Sequence, residues 1–298
     1  MRVAIIGGGP AGLMAAEVLS ARGLGVDIYD RKPSPARKFL MAGRGGLNLT
    51  HSEDLDTFIA RYGARSDILA PVIKAFAPKD LRNWCESLGQ KTFIGSSGRV
   101  FPESFKASPL LRAWIDRLEN QGVIFHVNHD WQGWDGDALI FQTPEGILHV
   151  TPAATLLALG GASWPRLGSD GSWVSVLQKK GVRIAPLEPA NSGFAVAWSD
   201  IFKNKYAGVP LKSIAASVDD TRVAGEMIVS AKGIEGGVVY ALSHLLREGA
   251  GALMIDLKPD LDAAAIATKL NKNRGRESFS NHLRKSLNLP PVAIGLLI

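Results

Sequence analysis

Apolar positions change period within the first thirty residues. Val3-Ala4-Ile5-Ile6 is an uninterrupted apolar run, too short for a helix and suited to a strand buried on both faces. Gly7-Gly8-Gly9-Pro10 breaks the run. Leu13, Ala16, Val18 and Leu19 then supply an apolar stripe at helical spacing, and Arg22-Gly23 provides the stop that a left-handed C′ position favours. Val26-Asp27-Ile28-Tyr29 reads as a second strand, ending at Asp30. Residues 1–30 are thus expected to form a strand–helix–strand unit.

The pattern weakens over residues 31–52, where glycine and base dominate. That composition excludes a regular helix and predicts a packed loop that touches a ligand. Residues 53–92 regain helical period, with Leu81, Trp84, Cys85 and Leu88 on one face. Residues 98–102 predict a short turn or strand, and 106–120 a helix with Leu110, Leu111, Trp114 and Leu118 inward. Residues 123–127, 138–142 and 147–150 alternate between turns and predict a three-stranded meander. Residues 154–159 predict a buried parallel strand that delivers Gly160 and Gly161 to its carboxyl end, where open α/β sheets bind ligands. The texture changes near residue 188. Short alternating strands follow over 192–257, interrupted by a helix at 236–247, with helices at 262–270 and 278–287. These strands predict a small barrel or sheet domain.

Chemistry enters at the first turn. Gly7, Gly9 and Gly12 fit G-x-G-x-x-G, with a strand before and a helix after. The first glycine permits the tight turn, the second lets a pyrophosphate approach the backbone, and the third lets helix and strand pack closely. The helix N-terminus then presents N–H groups and a positive dipole end to the phosphates. Asp30 lies 18 residues past Gly12 (30 − 12), near the ~20 expected of an acid that accepts ribose hydroxyls.

Composition narrows the field. The chain has 298 residues, 46% of them hydrophobic, enough for one large or two moderate domains. Cys85 is the single cysteine, so an internal disulfide and a multi-cysteine metal site are excluded. The residues before Gly7 are too few for a signal h-region, and no run approaches 18 apolar residues. A soluble, cytoplasmic protein without membrane association is expected. The net charge of +6 suits an anionic ligand. His126, His129, His149, His244 and His282 show no metal or triad spacing, while His51 stands out at the end of the glycine-rich loop.

Further motifs extend over the chain. They are Lys38 to Thr50, Gly98-Arg99-Val100-Phe101-Pro102, Ala158-Leu159-Gly160-Gly161, Ser169-Asp170-Gly171, Pro189-Ala190-Asn191-Ser192-Gly193-Phe194 and Gly233-Ile234-Glu235-Gly236-Gly237. With the glycine motif they resemble the bacterial NAD(P)/FAD-dependent flavoproteins called BaiN-like or aminoacetone-oxidase-family enzymes. The resemblance implies an α/β fold: a Rossmann-like FAD-binding domain with a β-meander over 1–188, and a β-rich insert domain with helices, in part barrel-like, over 189–298. It implies FAD as cofactor, NAD(P)H as an electron donor and a small organic substrate, met by amine oxidation or enone-type reduction. Gly7, Gly9, Pro10, Ala11 and Gly12 would bind the pyrophosphate, and Asp30 and Arg31 the adenosine end. Lys38, Arg44, Gly45 and Asn48 would line the phosphate and isoalloxazine side, Trp131 the adenine, and Gly160 and Gly161 the flavin linker. No catalytic acid or base is named.

There are departures from that family. Leu47 stands where many relatives carry a cysteine, and Asp30 where a glutamate is commoner. Family members also return to the FAD domain after the insert, so the apolar tail at 289–298 is expected to lie uncapped, with its partner segment missing. Three other readings compete. Lys269, Lys272, Arg274, Arg276, Arg284 and Lys285 are the basis for an RNA-binding flavoprotein, weighed against a solvated helical face. Arg31-Lys32 raises a 2′-phosphate and hence NADP. The truncated chain is also readable as a non-catalytic flavin-binding protein.

Overall fold

The computed structural model describes residues 2–42, 45–249 and 251–298. The chain divides into two compact units, Met1–Leu187 and Glu188–Ile298.

The first unit opens with β1 (Arg2–Ile6), α1 (Pro10–Ser20) and β2 (Gly25–Asp30). Next come α2 (Arg37–Ala42), β3 (Thr50–His51), α3 (Leu55–Ala60), α4 (Ser66–Ala75) and α5 (Pro78–Ser87). β4 (Thr92–Ile94) and β5 (Arg99–Pro102) join β3 in a small antiparallel sheet ordered β3-β5-β4. α6 (Ala107–Asn120) leads to β6 (Ile124–Val127). β7 (Asp130–Asp135), β8 (Ala138–Thr143) and β9 (Gly146–Val150) form an antiparallel meander, followed by β10 (Ala154–Leu157) and α7 (Trp173–Lys179). The central sheet is parallel, ordered β10-β1-β2-β6, with Ile5 opposite both Ile28 and Leu156.

The unbroken apolar run of β1 is explained by cover on both faces. Ile5, Val26 and Ile28 point to one side, where Leu13 and Ala16 of α1 meet Leu110, Leu111, Trp114 and Leu118 of α6. Ala4, Ile6 and Tyr29 point to the other, against Trp131, Leu139 and Phe141 of the meander. The helical layer is locked by Glu17. Its carboxylate accepts from Trp114 Nε1 at 2.6 Å, Trp84 Nε1 at 3.0 Å and Arg117 Nη1 at 2.9 Å, tying α1 to α5 and α6. A half-buried carboxylate bonded in this way leaves no lone pair facing apolar atoms unsatisfied.

Four sequence expectations need correction. Residues 37–42 form helix α2, not loop. They contain no Gly or Pro and consist of good helix formers; the glycines that suggested a loop begin only at 43. The strand at 124–127 belongs to the parallel sheet beside β2 and not to the meander. Asn128, at φ 57, turns the chain out of the sheet, and the meander starts at β7 instead. β10 is an edge strand and is largely exposed, so its apolar run does not mark a strand covered on both faces. The apolar tail folds into α12 (Pro291–Leu297), with Pro290 at the N-cap and Val292, Ala293 and Ile294 buried; the two prolines, Leu297 and Ile298 are exposed.

The second unit runs through β11 (Phe194–Ala195), α8 (Asp200–Tyr206), β12 (Pro210–Val218), β13 (Thr221–Ser230), β14 (Gly233–Glu235), α9 (Gly237–Arg247), β15 (Met254–Asp256), α10 (Ala263–Leu270) and α11 (Phe279–Leu287), ending in α12. Of the barrel and sheet alternatives it forms an open antiparallel sheet, ordered β11-β14-β13-β12-β15, with short strands at both edges. Val238, Val239 and Leu242 of α9 pack on Leu211, Ile214, Met227 and Val229. A helix laid along the sheet buries that apolar face without closure. Leu283 and Leu287 of α11 pack with Ala293 and Ile294 in a separate small core.

The β1–α1 turn is tight in two places and open in one. Gly7 has φ +109, and a Cβ there would run into the Ala158 carbonyl; one at Gly12 would run into the Gly7 carbonyl oxygen. A Cβ at Gly9 would meet nothing within 4 Å. Gly12→Ala is therefore expected to cost about 1–3 kcal/mol through overpacking, read as a lower urea midpoint. Gly9→Ala should stay within about 0.5 kcal/mol of the parent. Equal midpoints for Gly12→Ala and the parent would show that helix and strand do not touch as described.

Candidate functional site

The carboxyl ends of β1, β2 and β10 open into a cavity of about 680 Å³, within the range of small-molecule sites. Gly7, Gly9 and Pro10 form its floor from the β1–α1 turn. Gly9 is the N-cap of α1 and Pro10 its first residue, so no proline N–H is wasted there and the following amides face outward. Asp30 and Arg31 enter from the end of β2, Lys38 from α2, Trp131 from β7, and Gly160 and Gly161 from the segment after β10.

Asp30 has a second task besides facing the cavity. Its Oδ2 accepts from the Gly8 amide at 2.9 Å and its Oδ1 from the Lys32 amide at 2.8 Å. The acid therefore shapes the glycine turn itself. Each carboxylate oxygen keeps a further lone pair for a ligand hydroxyl. Arg31 is held from two sides. Its Nη1 donates to Asp170 Oδ2 at 2.7 Å and to Ser172 Oγ at 3.1 Å, and its Nε lies 3.3 Å from Asp130 Oδ1. Burial works to raise the Asp170 pKa, but hydrogen bonds from Ser172 and Arg31 outweigh it and the net shift is downward. Lys38 Nζ donates to Ser163 Oγ, which joins α2 to the segment after β10.

Among the described residues, the buried side-chain N or O atoms without a partner are Trp131 Nε1, Ser169 Oγ and Trp173 Nε1. All three residues line this cavity. Trp131 is 8% exposed and Ser169 9%. Buried polar atoms are nearly always hydrogen-bonded, so three orphans converging on one cavity mark it as built for a polar ligand.

The cavity thus collects Gly7, Gly9, Pro10, Asp30, Arg31, Lys38, Trp131, Gly160 and Gly161. Ala11 and Gly12 sit in α1 outside the wall, Ala11 exposed and Gly12 buried against Gly7. Gly45 and Asn48 are exposed and lie outside the wall as well, and Arg44 falls outside the described residues. Leu47 is buried in the helical core. His51 is a local brace: its Nδ1 accepts from the Glu53 amide at 3.2 Å and its ring packs under Gly98. Cys85 is fully buried, its thiol pushed up to about 12 by burial. In the basic stretch Lys285 is paired with Glu277.

Arg37, Ser169, Asp170 and Trp173 also line the cavity, though no ligand-binding role follows from their positions in the sequence. Ser169-Asp170-Gly171 is visible as a motif, but its role depends on Arg31, 139 residues away. A second cavity of about 450 Å³ is lined by Arg2, Ala4, Asp27, Tyr29 and residues 150–153. Its charges satisfy one another: Arg2 Nε donates to Asp27 Oδ2 at 2.5 Å, and His126 Nε2 lies 3.0 Å from Asp27 Oδ1. Tyr29 stacks between His126 and Phe141, and its phenol is pushed up to about 12, first by burial and then by the Asp27 charge. No helix among the described residues is long and apolar enough to cross a membrane.

Residues 1–247 match the HI0933-like protein Rossmann domain. A 3-dehydro-bile acid Δ(4,6)-reductase of Clostridium scindens is 28% identical over 296 residues, covering 95% of this chain and 69% of the reductase. Among solved structures, a 3-ketosteroid-Δ4-(5α)-dehydrogenase of Rhodococcus jostii aligns with 61% of this chain and 54% of its own, at 13% identity and TM-score 0.43. The open form of a flavocytochrome c3 fumarate reductase aligns with 71% and 47%, at 16% identity and TM-score 0.46.

The paired carboxylates set an acid limit on the fold. Burial works to raise the Asp27 pKa, but bonds from Arg2 and His126 prevail and lower it. A lowered folded pKa contributes stability above the ordinary Asp value, and the contribution is lost as pH falls through the lowered value. The stability gap between the parent and Asp27→Asn is expected to be present at neutral pH and to close on acidification below about 4. Urea midpoints measured across that range test it; a gap that widens with acid contradicts the pairing.

Proposed function

The chain belongs to this HI0933-like family of FAD-dependent Rossmann oxidoreductases, and from that premise we propose that it reduces an activated carbon–carbon double bond of an apolar, ring-bearing enone. The observation that carries the cofactor part is the convergence of three orphaned polar atoms on the glycine-floored cavity. The substrate class rests on the reductase of Clostridium scindens, whose similarity extends over 95% of this chain. A reduced nicotinamide is proposed as the electron donor.

The residues present fit FAD. Gly9 leaves open space beside the N-terminus of α1, where a pyrophosphate is favoured by free amides and by the dipole. Asp30 has lone pairs left for ribose hydroxyls. Trp131 Nε1 and Trp173 Nε1 can only donate, and Ser169 Oγ can donate or accept; a dinucleotide offers partners for all three. Arg37, Lys38 and Lys179 bring positive charge to the same wall. Bound there, FAD supplies hydride transfer, while the chain positions it and excludes water. Amine oxidation is the competing outcome.

Two measurements test this reading. The purified chain is expected to bind FAD with visible flavin absorbance, and its reduced form to be reoxidised anaerobically by a 3-keto-4-ene steroid. Reoxidation by the enone supports the proposal. Turnover of a small amine with oxygen consumption, and none with the enone, overturns the substrate class. In the second measurement, Trp131→Phe and Trp173→Phe each remove an unpartnered N–H. Apo stability should not fall for loss of a hydrogen bond, while FAD affinity drops roughly two- to tenfold, matching a net bond of about 0.5–1.5 kcal/mol. Unchanged affinity in both variants would mean that these donors face nothing on the cofactor.

A further inference from the structure

Arg31 follows directly on the acid that ends β2. In dinucleotide-binding folds an arginine near that position receives the 2′-phosphate of NADP. Here the guanidinium is occupied. Asp170 takes Nη1 at 2.7 Å, Ser172 Oγ shares it at 3.1 Å, and Asp130 lies 3.3 Å from Nε. Its partners come from two separate segments: Asp130 opens β7, and Asp170 and Ser172 precede α7. Asp170 is braced in turn, its Oδ1 accepting from the Ser172 amide at 3.1 Å.

Backbone bonds hold the same corner. The His129 amide donates to the Asp30 carbonyl at 2.9 Å and the Asn128 amide to the Lys32 carbonyl at 3.1 Å. Gly168 rests on the stems of Lys32 and Arg31; a Cβ there would lie 3.2 Å from Lys32 Cγ and 3.8 Å from Arg31 Cδ. Asp30, Arg31, Asp130 and Asp170 all line the cavity, and Lys32 does not. The corner at the end of β2 therefore presents three carboxylates, and its arginine, Arg31, is already engaged by two of them. A ribose with free hydroxyls finds acceptors there. A 2′-phosphate brings further negative charge toward three acids, with Arg31 already engaged by two of them.

We propose that Arg31, bracketed by Asp130 and Asp170, is a positioning residue that fastens the 168–172 loop over the adenosine end and makes the site select an unphosphorylated ribose over a 2′-phosphorylated one. The inference rests on the FAD reading of this cavity and adds the residues that set its nucleotide specificity. On this proposal Arg31 is not a 2′-phosphate receptor.

The test is a competition on apo-protein. FAD binding is followed by quenching of flavin fluorescence and displaced by ADP or by 2′-phospho-ADP. In the parent, ADP is expected to compete at least about tenfold better, a difference of about 1.4 kcal/mol. In Asp130→Asn/Asp170→Asn, Arg31 is released, and the ratio should fall below about threefold. Asp130→Asn alone should give an intermediate ratio, which covers the case of an unstable double variant. A purely structural role would weaken both competitors together and leave the ratio unchanged, and that result overturns the proposal. Equal competition in the parent overturns it as well. If the parent binds neither FAD nor ADP, the cofactor reading beneath it is what fails.

Discussion

The first unit depends on a close approach between backbones that tolerates no side chain. The Gly7 carbonyl points at the Cα of Gly12, and the Ala158 carbonyl points at the Cα of Gly7. These contacts bring the end of β1, the start of α1 and the segment after β10 together. Asp30 adds a third tie by accepting from the Gly8 amide. A cavity at the N-terminus of α1 is the geometric consequence, because the helix must begin where the strands end.

Around that corner the two faces of the sheet have different work. The face under α1 and α6 is a packed apolar layer with one charged knot at Glu17, which fixes the helix angles through two indole donors and a guanidinium. The face under the meander is shared with the cavity. Trp131 belongs both to the core of that face and to the cavity wall. Packing on this side therefore aims polar atoms at the ligand while burying their rings, and the apo-protein carries the cost of orphaned donors. Arg31 performs the matching task in charge, held between the carboxylates of Asp130 and Asp170 at the same wall.

Much of the first unit was legible from the pattern alone. The apolar run of β1, the glycine spacing, the stripe of α1 and the acid at the end of β2 are local signals, each tied to a backbone requirement that few residues meet. The helix at 37–42 is masked in the sequence by the glycines that follow it. The strand at 124–127 lies in the parallel sheet and not in the meander that its pattern suggests. Its alternation is equally compatible with a meander and with an edge of the parallel sheet, and a single residue, Asn128 in the left-handed region, decides between them. The tail at 289–298 looked uncapped because its partners, Leu283 and Leu287, belong to another helix.

By itself the sequence determined the glycine turn between β1 and α1 and the acid at the end of β2, since these follow from spacings of a few residues. It also determined the change of texture near residue 188 and the apolar faces of the helices, which are periodic and hence local. Tertiary structure alone decided which residues complete the cavity. Asp170 meets Arg31 across 139 positions, and Trp131 and Trp173 turn their indoles toward one space from different elements. No local pattern encodes such meetings. They arise when the parallel sheet fixes the distance between strand ends, and a charge or an indole donor acquires a role only from what is folded opposite it.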